Sequence, residues 1–396
     1  MKKLNRKKIS IIGGAGHVGF PLGLALADKG YNVDLIDKNL FSLSLINKGK
    51  APFLELGAEK ILNKCLKKKV ISTKNHLKDL IFSKYLIICI GTPITKKLDP
   101  DLKSFINFFK KLKKYVHKHH YIIIRSSIYP GTLNKIEKVL KKINNNILYC
   151  PERIVQGKAL IELNKLPQII SSNNSKILEN VGNLFNKICL KVIKTSVIEA
   201  ELIKLFSNAN RYINFSIANQ FYLMCNQMNI NFSRVRNIMQ DGYERNLNLP
   251  LSGLTAGPCL LKDTMQLSSF FKKKFYLGHA AMNINESFPK FIFDKIRNIK
   301  NYKRKKIGIL GLTFKANNDD IRDSLAIKLI NLLEKNRLKI LKSDQFFNFN
   351  GNIDKKNLIK NSDIIVIGAP HKSYFKIKFP KNKVIIDVWG MFEKKI

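Results

Sequence analysis

A glycine-rich turn between a short apolar run and a helical pattern is the feature that most constrains the fold of this chain. Residues 9–13 are strand-like, a Gly-x-Gly-x-x-Gly motif begins at Gly14, and residues 18–29 have helical spacing. In this context the glycines let the backbone approach a pyrophosphate at a helix N-terminus. Asp37 ends the next apolar run, about 20 residues later, where a carboxylate accepts hydrogen bonds from an adenosine ribose. A tight structural turn is the alternative interpretation.

The carboxylate also distinguishes between the two nicotinamide cofactors. An acid at Asp37 would meet the ribose 2′-phosphate of NADP with like charge, so the pattern favours NAD. The cofactor-binding residues predicted in this region are Gly14, Ala15, Gly16, His17, Val18 and Asp37.

Strand-like and helix-like segments alternate through the first half of the chain. Apolar runs at residues 9–13, 32–36, 85–90, 121–124 and 147–150 each end in turn residues or polar residues. This alternation predicts βαβ units in a doubly wound parallel sheet. Ligands of such sheets bind beyond the carboxyl ends of the strands, so the residues that follow these runs are candidate site residues.

A helical pattern without proline covers residues 196–227, and strand-like runs restart at residues 306–310. We therefore predict an α/β fold in which two Rossmann-like doubly wound parallel-sheet domains are joined by a central long-helix segment. The predicted boundaries are 1–195 for the NAD-binding Rossmann domain, 196–300 for a central helical domain with the cysteine loop, and 301–396 for a C-terminal domain.

The 396-residue chain has a formal net charge of +43. Its lysines are scattered through nearly every segment with isoleucines and asparagines, which indicates a compositional bias rather than a nucleic-acid-binding patch. A basic surface still attracts an anionic small molecule. No apolar run approaches the roughly 20 residues that span a bilayer, and no cleavage-site pattern follows the basic N-terminus. We predict a cytoplasmic protein that binds neither nucleic acid nor membrane.

One cysteine has the surroundings of a nucleophile. The chain has six cysteines without close pairing, so neither a zinc site nor a disulfide framework is predicted. Cys259 lies among turn residues, two positions after Gly257 and shortly before Lys262 and Asp263. A helix N-terminus and an ammonium group both favour a thiolate. A helix-capping turn with a chance cysteine is the alternative.

Three other polar residues are ambiguous in isolation. Lys204 and Asn208 are four residues apart and therefore lie on one face of the long helix. A solvent-exposed stripe of polar residues would have the same spacing. Glu152 follows a strand-like run, where an N-cap or a surface salt bridge is the simpler interpretation.

Taken together and in order, these motifs make the chain similar to the UDP-glucose/GDP-mannose dehydrogenase family of NAD-dependent nucleotide-sugar dehydrogenases. The resemblance extends from Gly13 to Phe392. Besides the glycine turn, its motifs are Gly91-Thr92-Pro93, Arg125-Ser126-Ser127-x-x-Pro130-Gly131-Thr132, Pro151-Glu152-Arg153, Lys204-x-x-x-Asn208, Gly257-x-Cys259-x-x-Lys262-Asp263, Gly311-x-x-Phe314-Lys315, Asp319-Asp320-x-Arg322-Asp323-Ser324, Ala369-Pro370-His371 and Ile386-Asp387-Val388-Trp389-Gly390.

The resemblance implies a four-electron oxidation of a sugar C6 alcohol to a carboxylate with two NAD+. Lys204, Asn208 and Asp263 would surround the reacting oxygen and an ordered water, with Lys204 stabilising the developing oxyanion. Asp263 would position the water or take part in proton transfer. Cys259 would trap the aldehyde as a thiohemiacetal, which is then oxidised to a thioester. Glu152 would help water to hydrolyse that thioester.

The same resemblance implies binding residues and partners. Thr92, Ser127 and Arg322 match cofactor positions. The C-terminal domain would bind the UDP-sugar, and a second copy of the chain would pair through the central helices to give a dimer or a higher homo-oligomer. The implied substrate-binding residues are Glu152, Arg153, Lys204, Asn208, Arg211, Gly257, Phe314 and Lys315.

Several residues depart from the family pattern. Pro258 stands where many relatives have glycine or histidine, which removes a backbone N–H beside the cysteine. Ser127 stands where threonine is common, and Gln156 replaces an acid of the UDP-glucose enzymes. The Pro-Glu-Arg sequence at residues 151–153 and Arg211 resemble the branch that acts on UDP-N-acetylhexosamines. We therefore expect a UDP-N-acetylhexosamine as substrate, with UDP-glucose as the alternative.

Two further interpretations stay open. A two-electron dehydrogenase of the β-hydroxyacid type would use the same cofactor turn and leave Cys259 incidental. A non-catalytic NAD-binding or nucleic-acid-associated protein is suggested by the net charge alone.

Overall fold

The computed structural model describes residues 5–92, 94–95, 99–255 and 257–392. Pro93, which belongs to one of the motifs above, and Ala256, the residue before the cysteine motif, lie outside the described residues. The chain divides into two compact units, Met1–Phe206 and Ser207–Ile396. Each unit is described by itself below.

The main sheet of the first unit is parallel throughout. Within the described residues it contains β1 (Asn5–Ile12), β2 (Asn32–Ile36), β3 (Ile71–Lys74), β4 (Ser83–Ile88), β5 (Tyr121–Ile124) and β6 (Ile147–Tyr149). The strand order is β3-β2-β1-β4-β5-β6, so the chain reverses direction across the sheet between β1 and β4. This is the order of a dinucleotide-binding doubly wound sheet, and its ligands bind where the order reverses.

Helices connect these strands, as a parallel sheet requires. They are α1 (Gly19–Asp28), α2 (Leu40–Asn47), α3 (Ala58–Lys67), α4 (Leu102–Leu112), α5 (Thr132–Leu140), α6 (Ala159–Lys165) and α7 (Leu178–Phe185). A small parallel pair, β7 (Gln168–Ile170) with β8 (Val192–Lys194), forms a separate two-stranded sheet in the same unit.

Strand β1 lies inside the sheet, between β2 and β4, and its residues 9–12 are buried on both faces. Ile9 and Ile11 have no exposed surface, and neither does the polar Ser10 between them. The hydroxyl of Ser10 lies 2.7 Å from the hydroxyl of Ser83 on β4, which gives both buried groups a hydrogen-bonding partner. Burial on both faces is typical of parallel sheets covered by helices.

The predicted central helix is present and begins one residue later than expected. Helix α8 (Val197–Gln227) starts in the first unit and continues into the second. The second unit then contains α9 (Phe232–Gln240), α10 (Leu260–Phe270) and α11 (Tyr276–Arg297).

A second parallel sheet forms the C-terminal part of the second unit. Its described elements are β9 (Lys306–Leu310), α12 (Leu325–Lys335), β10 (Lys339–Ser343), α13 (Lys355–Asn361), β11 (Ile364–Ile367) and β12 (Val384–Ile386). The strand order is β10-β9-β11-β12. The predicted fold class, two Rossmann-like parallel sheets and a long central helix, is confirmed. Within the described residues, no helix combines the length and apolar character needed to cross a membrane.

Candidate active site

The glycine turn of the first unit is packed too closely for larger residues. Gly13 has φ +82°, and a Cβ atom there would lie 2.7 Å from the carbonyl oxygen of Cys89. A Cβ at Gly14 would lie 2.8 Å from the backbone of Leu35, and one at Gly19 would lie 2.2 Å from the Gly13 oxygen. Helix α1 can therefore begin directly behind the end of β1, and its N-terminus faces the place where a pyrophosphate binds in such turns.

Asp37 follows β2 and closes the far side of this turn. Its Oδ2 accepts the Ala15 N–H (3.1 Å) and its Oδ1 accepts the Asn39 N–H (3.1 Å). A cavity of about 630 Å³ begins beside it; the lining includes Gly13, Gly16, Ile36, Asp37, Gly91, Ser104, Phe105 and Phe108. The close-packed glycines, the half-buried carboxylate and the cavity at the reversal of strand order fit a dinucleotide such as NAD.

His17 joins the glycine turn to a second loop of the same unit. Its ring centroid lies 3.9 Å from that of Phe53, and its Nε2 lies 3.0 Å from Nε2 of Gln156. Gln156 is the residue that departs from the UDP-glucose pattern, so the departure contacts the cofactor turn directly. Val18 is the residue before α1 and makes no side-chain cap.

Thr92 and Ser127, the other cofactor residues predicted in this unit, are both half-buried after neighbouring strands, β4 and β5. Between them, Ser126 donates its hydroxyl to the carbonyl oxygen of Ile90 at 2.6 Å. This hydrogen bond joins the loops after β4 and β5 at the carboxyl edge of the sheet.

Glu152 follows β6 and is buried. Its Oε1 accepts the N–H groups of Arg153 (2.7 Å) and Ile154 (2.9 Å), while its Oε2 forms an ion pair with the guanidinium of Arg125. Arg153 donates from Nη2 to the carbonyl oxygen of Pro167 (2.7 Å). Arg125 begins one of the motifs of the sequence analysis, but no role was predicted for it. Because β5 and β6 are neighbours, the residues that follow them meet, and knowledge of the strand order would have predicted the pair.

Cys259 is placed at the start of a helix, as predicted. It is the residue before α10 and is exposed, and its carbonyl oxygen accepts the Asp263 N–H (2.9 Å). Gly257, two residues earlier, has φ +122°, and the Phe314 ring lies 2.6 Å from where its Cβ would be. The cysteine loop thus approaches the predicted substrate residue Phe314 closely enough to require glycine.

Asn208 and Asp263 meet in the interior of the second unit. Asp263 has no exposed surface, and its Oδ2 accepts a hydrogen bond from Nδ2 of Asn208 at 2.6 Å. Nζ of Lys262 lies 3.8 Å from Oδ1 of Asp263. Lys204 is half-buried one helical turn before Asn208 and belongs to the first unit, and Arg211 is exposed on the same helix.

Arg322 lies in the loop that also contains Phe314 and Lys315. Its Nη2 is 2.6 Å and its Nε is 3.0 Å from the carboxylate of Asp320, which is 7% exposed. The hydrogen bond that Arg322 donates to Asp320 raises the pKa of Arg322 more than burial lowers it, and Cys259 is among the groups that raise it further. Asp320 therefore holds the Arg322 guanidinium in place in this loop.

The loop before Cys259 is held by buried side chains that the sequence did not single out. Asn219 of α8 accepts the Gly253 N–H (2.8 Å), and Ser252 donates its hydroxyl to the carbonyl oxygen of Val388 (2.8 Å). A Cβ at Gly253 would lie 2.4 Å from the Trp389 indole, whose N–H donates to the Ile367 oxygen (3.1 Å). A motif containing Trp389 was recognised, but nothing in its sequence shows that it packs against this loop.

Comparisons with known proteins agree with this arrangement. Residues 7–189, 198–287 and 308–394 match, in turn, the NAD binding, central and UDP binding domains of the UDP-glucose/GDP-mannose dehydrogenase family. The UDP-N-acetyl-D-mannosamine dehydrogenase of Pyrococcus horikoshii is 27% identical over 96% of this chain and 94% of its own. The UDP-glucose 6-dehydrogenase of Rickettsia bellii is 27% identical over 81% of this chain and 77% of its own.

A solved structure of a UDP-D-ManNAc dehydrogenase from Pyrococcus horikoshii superposes with a TM-score of 0.88 at 26% identity, covering 98% of this chain and 96% of the other. Both sheets, the long helix and the glycine turn therefore have counterparts in a nucleotide-sugar dehydrogenase. The chain belongs to the UDP-glucose/GDP-mannose dehydrogenase family of NAD-dependent nucleotide-sugar dehydrogenases.

Proposed function

We propose that this protein oxidises the C6 hydroxyl of a UDP-sugar to the carboxylate in two steps, with Cys259 holding the intermediate between them. The observation that supports this most is the combination at helix α10: an exposed thiol at its first turn and a buried Asn208–Asp263 pair one turn later. A two-electron dehydrogenase has no use for a thiol in this position.

NAD+, when bound, accepts a hydride in each oxidation. The Asn208 amide and the Lys204 ammonium would stabilise negative charge on the substrate oxygen as its proton leaves. The thiol of Cys259 would add to the resulting aldehyde and form a carbon–sulfur bond. Loss of a second hydride from that thiohemiacetal leaves a thioester, which water hydrolyses to the uronic acid and the free thiol. Asp263 would position the water or accept its proton, and Glu152 would assist in the hydrolysis.

We propose a UDP-N-acetylhexosamine as the substrate. The Pro-Glu-Arg sequence at residues 151–153 and Arg211 support this, and so does the name of the Pyrococcus relative, a UDP-N-acetyl-D-mannosamine dehydrogenase. UDP-glucose is the second candidate because of the Rickettsia relative. Phe314 and Lys315 would contact the UDP moiety, Arg153 and Gly257 would help to bind the sugar nucleotide, and Thr92, Ser127 and Arg322 would bind the cofactor. The division at residues 195 and 300 remains part of this proposal.

We also propose that the protein works in the cytoplasm as a homo-oligomer. Exposed apolar side chains occur along α8 in the second unit and at the residue that follows it, where a second copy would bury them: Ile217, Phe221 and Met224 on the helix, and Met228 directly after it. Light scattering of the wild type and of Met224→Glu tests the assembly, and an unchanged mass of the variant contradicts this surface.

The test of the function is NADH formed per sugar nucleotide consumed, with UDP-GlcNAc, UDP-ManNAc, UDP-glucose and GDP-mannose each supplied in turn. We expect two NADH for one UDP-N-acetylhexosamine. Cys259→Ala should lose uronic acid formation, while Cys225→Ala, a change at another free cysteine, should not. Substantial turnover with one NADH in Cys259→Ala would indicate the two-electron alternative.

Lys204→Ala tests the oxyanion role separately. We expect kcat to fall about a hundredfold with a much smaller change in KM, since the ammonium would act on charge that develops in the transition state. Unchanged kcat would remove Lys204 from the mechanism.

A further inference from the structure

Glu201 is a buried carboxyl group near the start of helix α8. It has no exposed surface. Its Oε2 accepts the Gly131 N–H at 2.6 Å, and its Oε1 accepts the Leu133 N–H at 3.1 Å. Burial raises the pKa of this carboxyl above its ordinary value, although hydrogen bonds from the backbone N–H groups of Gly131, Leu133 and Thr132 act to lower it. Both oxygens are therefore held by donors whose positions the backbone fixes.

The donors that bind Glu201 belong to the start of helix α5. Gly131, the residue before this helix, has φ +81° and no side chain that could cap it. The first N–H groups of a helix have no acceptor within the helix itself. Glu201 provides that acceptor from a segment 70 residues later. It thereby joins α5 to the start of α8, and both of these segments belong to the first unit.

Apolar contacts hold the same face of α8. Val197 and Ala200 are buried in one hydrophobic cluster with Leu133 of α5. Lys204 follows Val197 by seven residues and Ala200 by four, so it continues this face of the helix. The face is directed at α5 and therefore at the loop between β5 and α5, which contains the predicted cofactor residue Ser127. The contacts that fix the start of α8 thus also fix where Lys204 stands relative to that loop.

We infer that Glu201 is a positioning residue for Lys204. By capping α5 it would hold the first turns of α8 against the loop after β5, and with them the ammonium group that acts on the substrate oxygen. Glu201 itself would touch neither substrate nor cofactor and would exchange no proton with them. This inference rests on the function proposed above, in which Lys204 stabilises the developing oxyanion.

A purely structural role of Glu201 makes a different prediction. If the carboxyl group only stabilised the fold, Glu201→Gln would lower the free energy of unfolding, but the molecules that fold would keep their kcat. If it positions Lys204, the folded molecules lose kcat as well, because a displaced ammonium stabilises the oxyanion poorly. The two roles are separated by expressing kcat per folded enzyme, counted by titration of its NAD-binding sites.

The experiment is steady-state kinetics of Glu201→Gln with NAD+ and the UDP-sugar that the wild type oxidises. Glutamine keeps the length of the side chain but turns an NH2 group towards backbone donors. We expect kcat to fall about tenfold and the KM of the sugar nucleotide to change by less than about twofold. Wild-type kcat per NAD-binding site in Glu201→Gln would overturn the inference.

Glu199→Gln is the matched control on the same helix. Glu199 is exposed and accepts the Ser196 N–H at 2.9 Å, so it caps the start of α8 without contacting α5. We expect its kcat to stay within about twofold of the wild type. Equal losses of kcat in Glu199→Gln and Glu201→Gln would contradict a role that depends on the contact with α5.

A double-mutant cycle tests whether Glu201 acts through Lys204. In a Lys204→Ala background, Glu201→Gln should lower kcat by less than about twofold, because the group that it positions is already absent. Losses that multiply in the double variant would show that Glu201 acts by another route and would overturn the inference.

Labelling of lysines with acetic anhydride, followed by peptide mass spectrometry, reports the position of Lys204 without any turnover. We expect Lys204 to be labelled at least about threefold faster in Glu201→Gln than in the wild type, because the half-buried amine is released from its packing. The exposed Lys194 provides the reference rate within the same sample. An unchanged ratio of the two rates would overturn the inference.

Glu201→Asp keeps the test decisive if Glu201→Gln does not fold. Its carboxylate is one methylene shorter and cannot reach both N–H groups, so a smaller loss of kcat and a smaller increase in Lys204 labelling are expected. Wild-type values of both would overturn the inference. Failure of the proposed function has a different signature, because the wild type itself would then form no NADH from any of the four sugar nucleotides.

Discussion

Asp37 and Asp344 occupy the same position in the two parallel sheets of this protein. Asp37 follows β2 and Asp344 follows β10, each of which pairs with the first strand of its sheet. Each Oδ2 accepts an N–H from the turn after that first strand, Ala15 at 3.1 Å or Leu312 at 2.6 Å. Each Oδ1 accepts the N–H of the residue two positions later in the sequence, Asn39 or Phe346. The two carboxylates therefore accept equivalent backbone hydrogen bonds.

The turns that they contact are also alike. The Gly13 N–H donates to the last residue of β2, Ile36, and the Gly311 N–H donates to the last residue of β10, Ser343. Both glycines have positive φ, +82° and +87°, and a Cβ at either would lie 2.7 Å from the backbone after the neighbouring strand. The shared geometry is therefore one of close backbone packing, which glycine alone permits.

The difference lies in what stands opposite each carboxylate. Asp37 is half-buried and borders the 630 Å³ cavity of the cofactor turn. The Asp344 side chain has no exposed surface, and Nε2 of His371 lies 3.3 Å from its Oδ2. Nδ1 of His371 accepts the Asn317 N–H (2.9 Å), so a neutral ring carries its proton on Nε2 and donates it to Asp344. The same position at the end of the second strand can therefore serve two purposes. Asp37 is open to a ligand, whereas Asp344 is covered by His371 and only holds the backbone.

The burial of Asp344 limits how the second sheet can contact a ligand. Because the Asp344 side chain is shielded from solvent, its role is to accept the N–H groups of Leu312 and Thr313. These residues form the turn just before Phe314 and Lys315. Ligand contacts in this sheet would then be made by the turn that Asp344 supports, and not by the carboxylate itself.

Asp344→Ala should lower the free energy of unfolding much more than the corresponding change at Asp37. The change leaves the N–H groups of Leu312, Phe346 and Phe347 without their acceptor in the interior, so we expect a loss of about 3 kcal/mol in the free energy of unfolding. Urea unfolding measures it. Asp37→Ala is the matched control, with an expected loss below about 1 kcal/mol because water can replace a half-buried carboxylate. Equal losses at the two positions would show that burial does not distinguish them.

The sequence predicted the positions of several strands well because most of their residues are apolar. The runs 32–36, 121–124 and 306–310 match their strands residue for residue. The run 85–90 was placed two residues late, since β4 begins at Ser83 and its buried hydroxyl pairs with Ser10 across the sheet. The pair β7 and β8 was not predicted, because three-residue strands show too little periodicity to be recognised.

The sequence predicted those features of the site that depend on a single short segment of the chain. Cys259 at a helix start and Asp37 at a strand end follow from local patterns, and both lie where predicted. The contacts of Arg125 with Glu152 and of Asp344 with His371 join residues 27 positions apart in each case. Such pairs depend on strand order, which no local pattern contains. The family resemblance pointed to Glu152, but it did not show what holds it.

Asp37→Ala should have the next largest effect, on cofactor binding and not on stability. Loss of the hydrogen bonds to the ribose should raise the Kd of NAD about tenfold, the equivalent of about 1.4 kcal/mol. Removal of the negative charge should also narrow the preference for NAD over NADP. Titration of both cofactors by fluorescence measures the two affinities. An NAD affinity equal to that of the wild type would defeat the ribose assignment and would make Asp37, like Asp344, an anchor.

The smallest expected effect concerns the charge of Asp344. Burial raises the pKa of Asp344, but the hydrogen bonds from His371 and Leu312 outweigh it and leave the pKa below its usual value. A depressed carboxyl pKa contributes stability that is complete above the unfolded value of about 4 and is lost as the pH falls through the folded value. The difference in unfolding free energy between the wild type and Asp344→Asn should therefore shrink as the pH is lowered from about 5 to about 2. If this difference in unfolding free energy stayed constant with pH, the hydrogen-bond geometry of Asp344, and not its charge, would account for its contribution to stability.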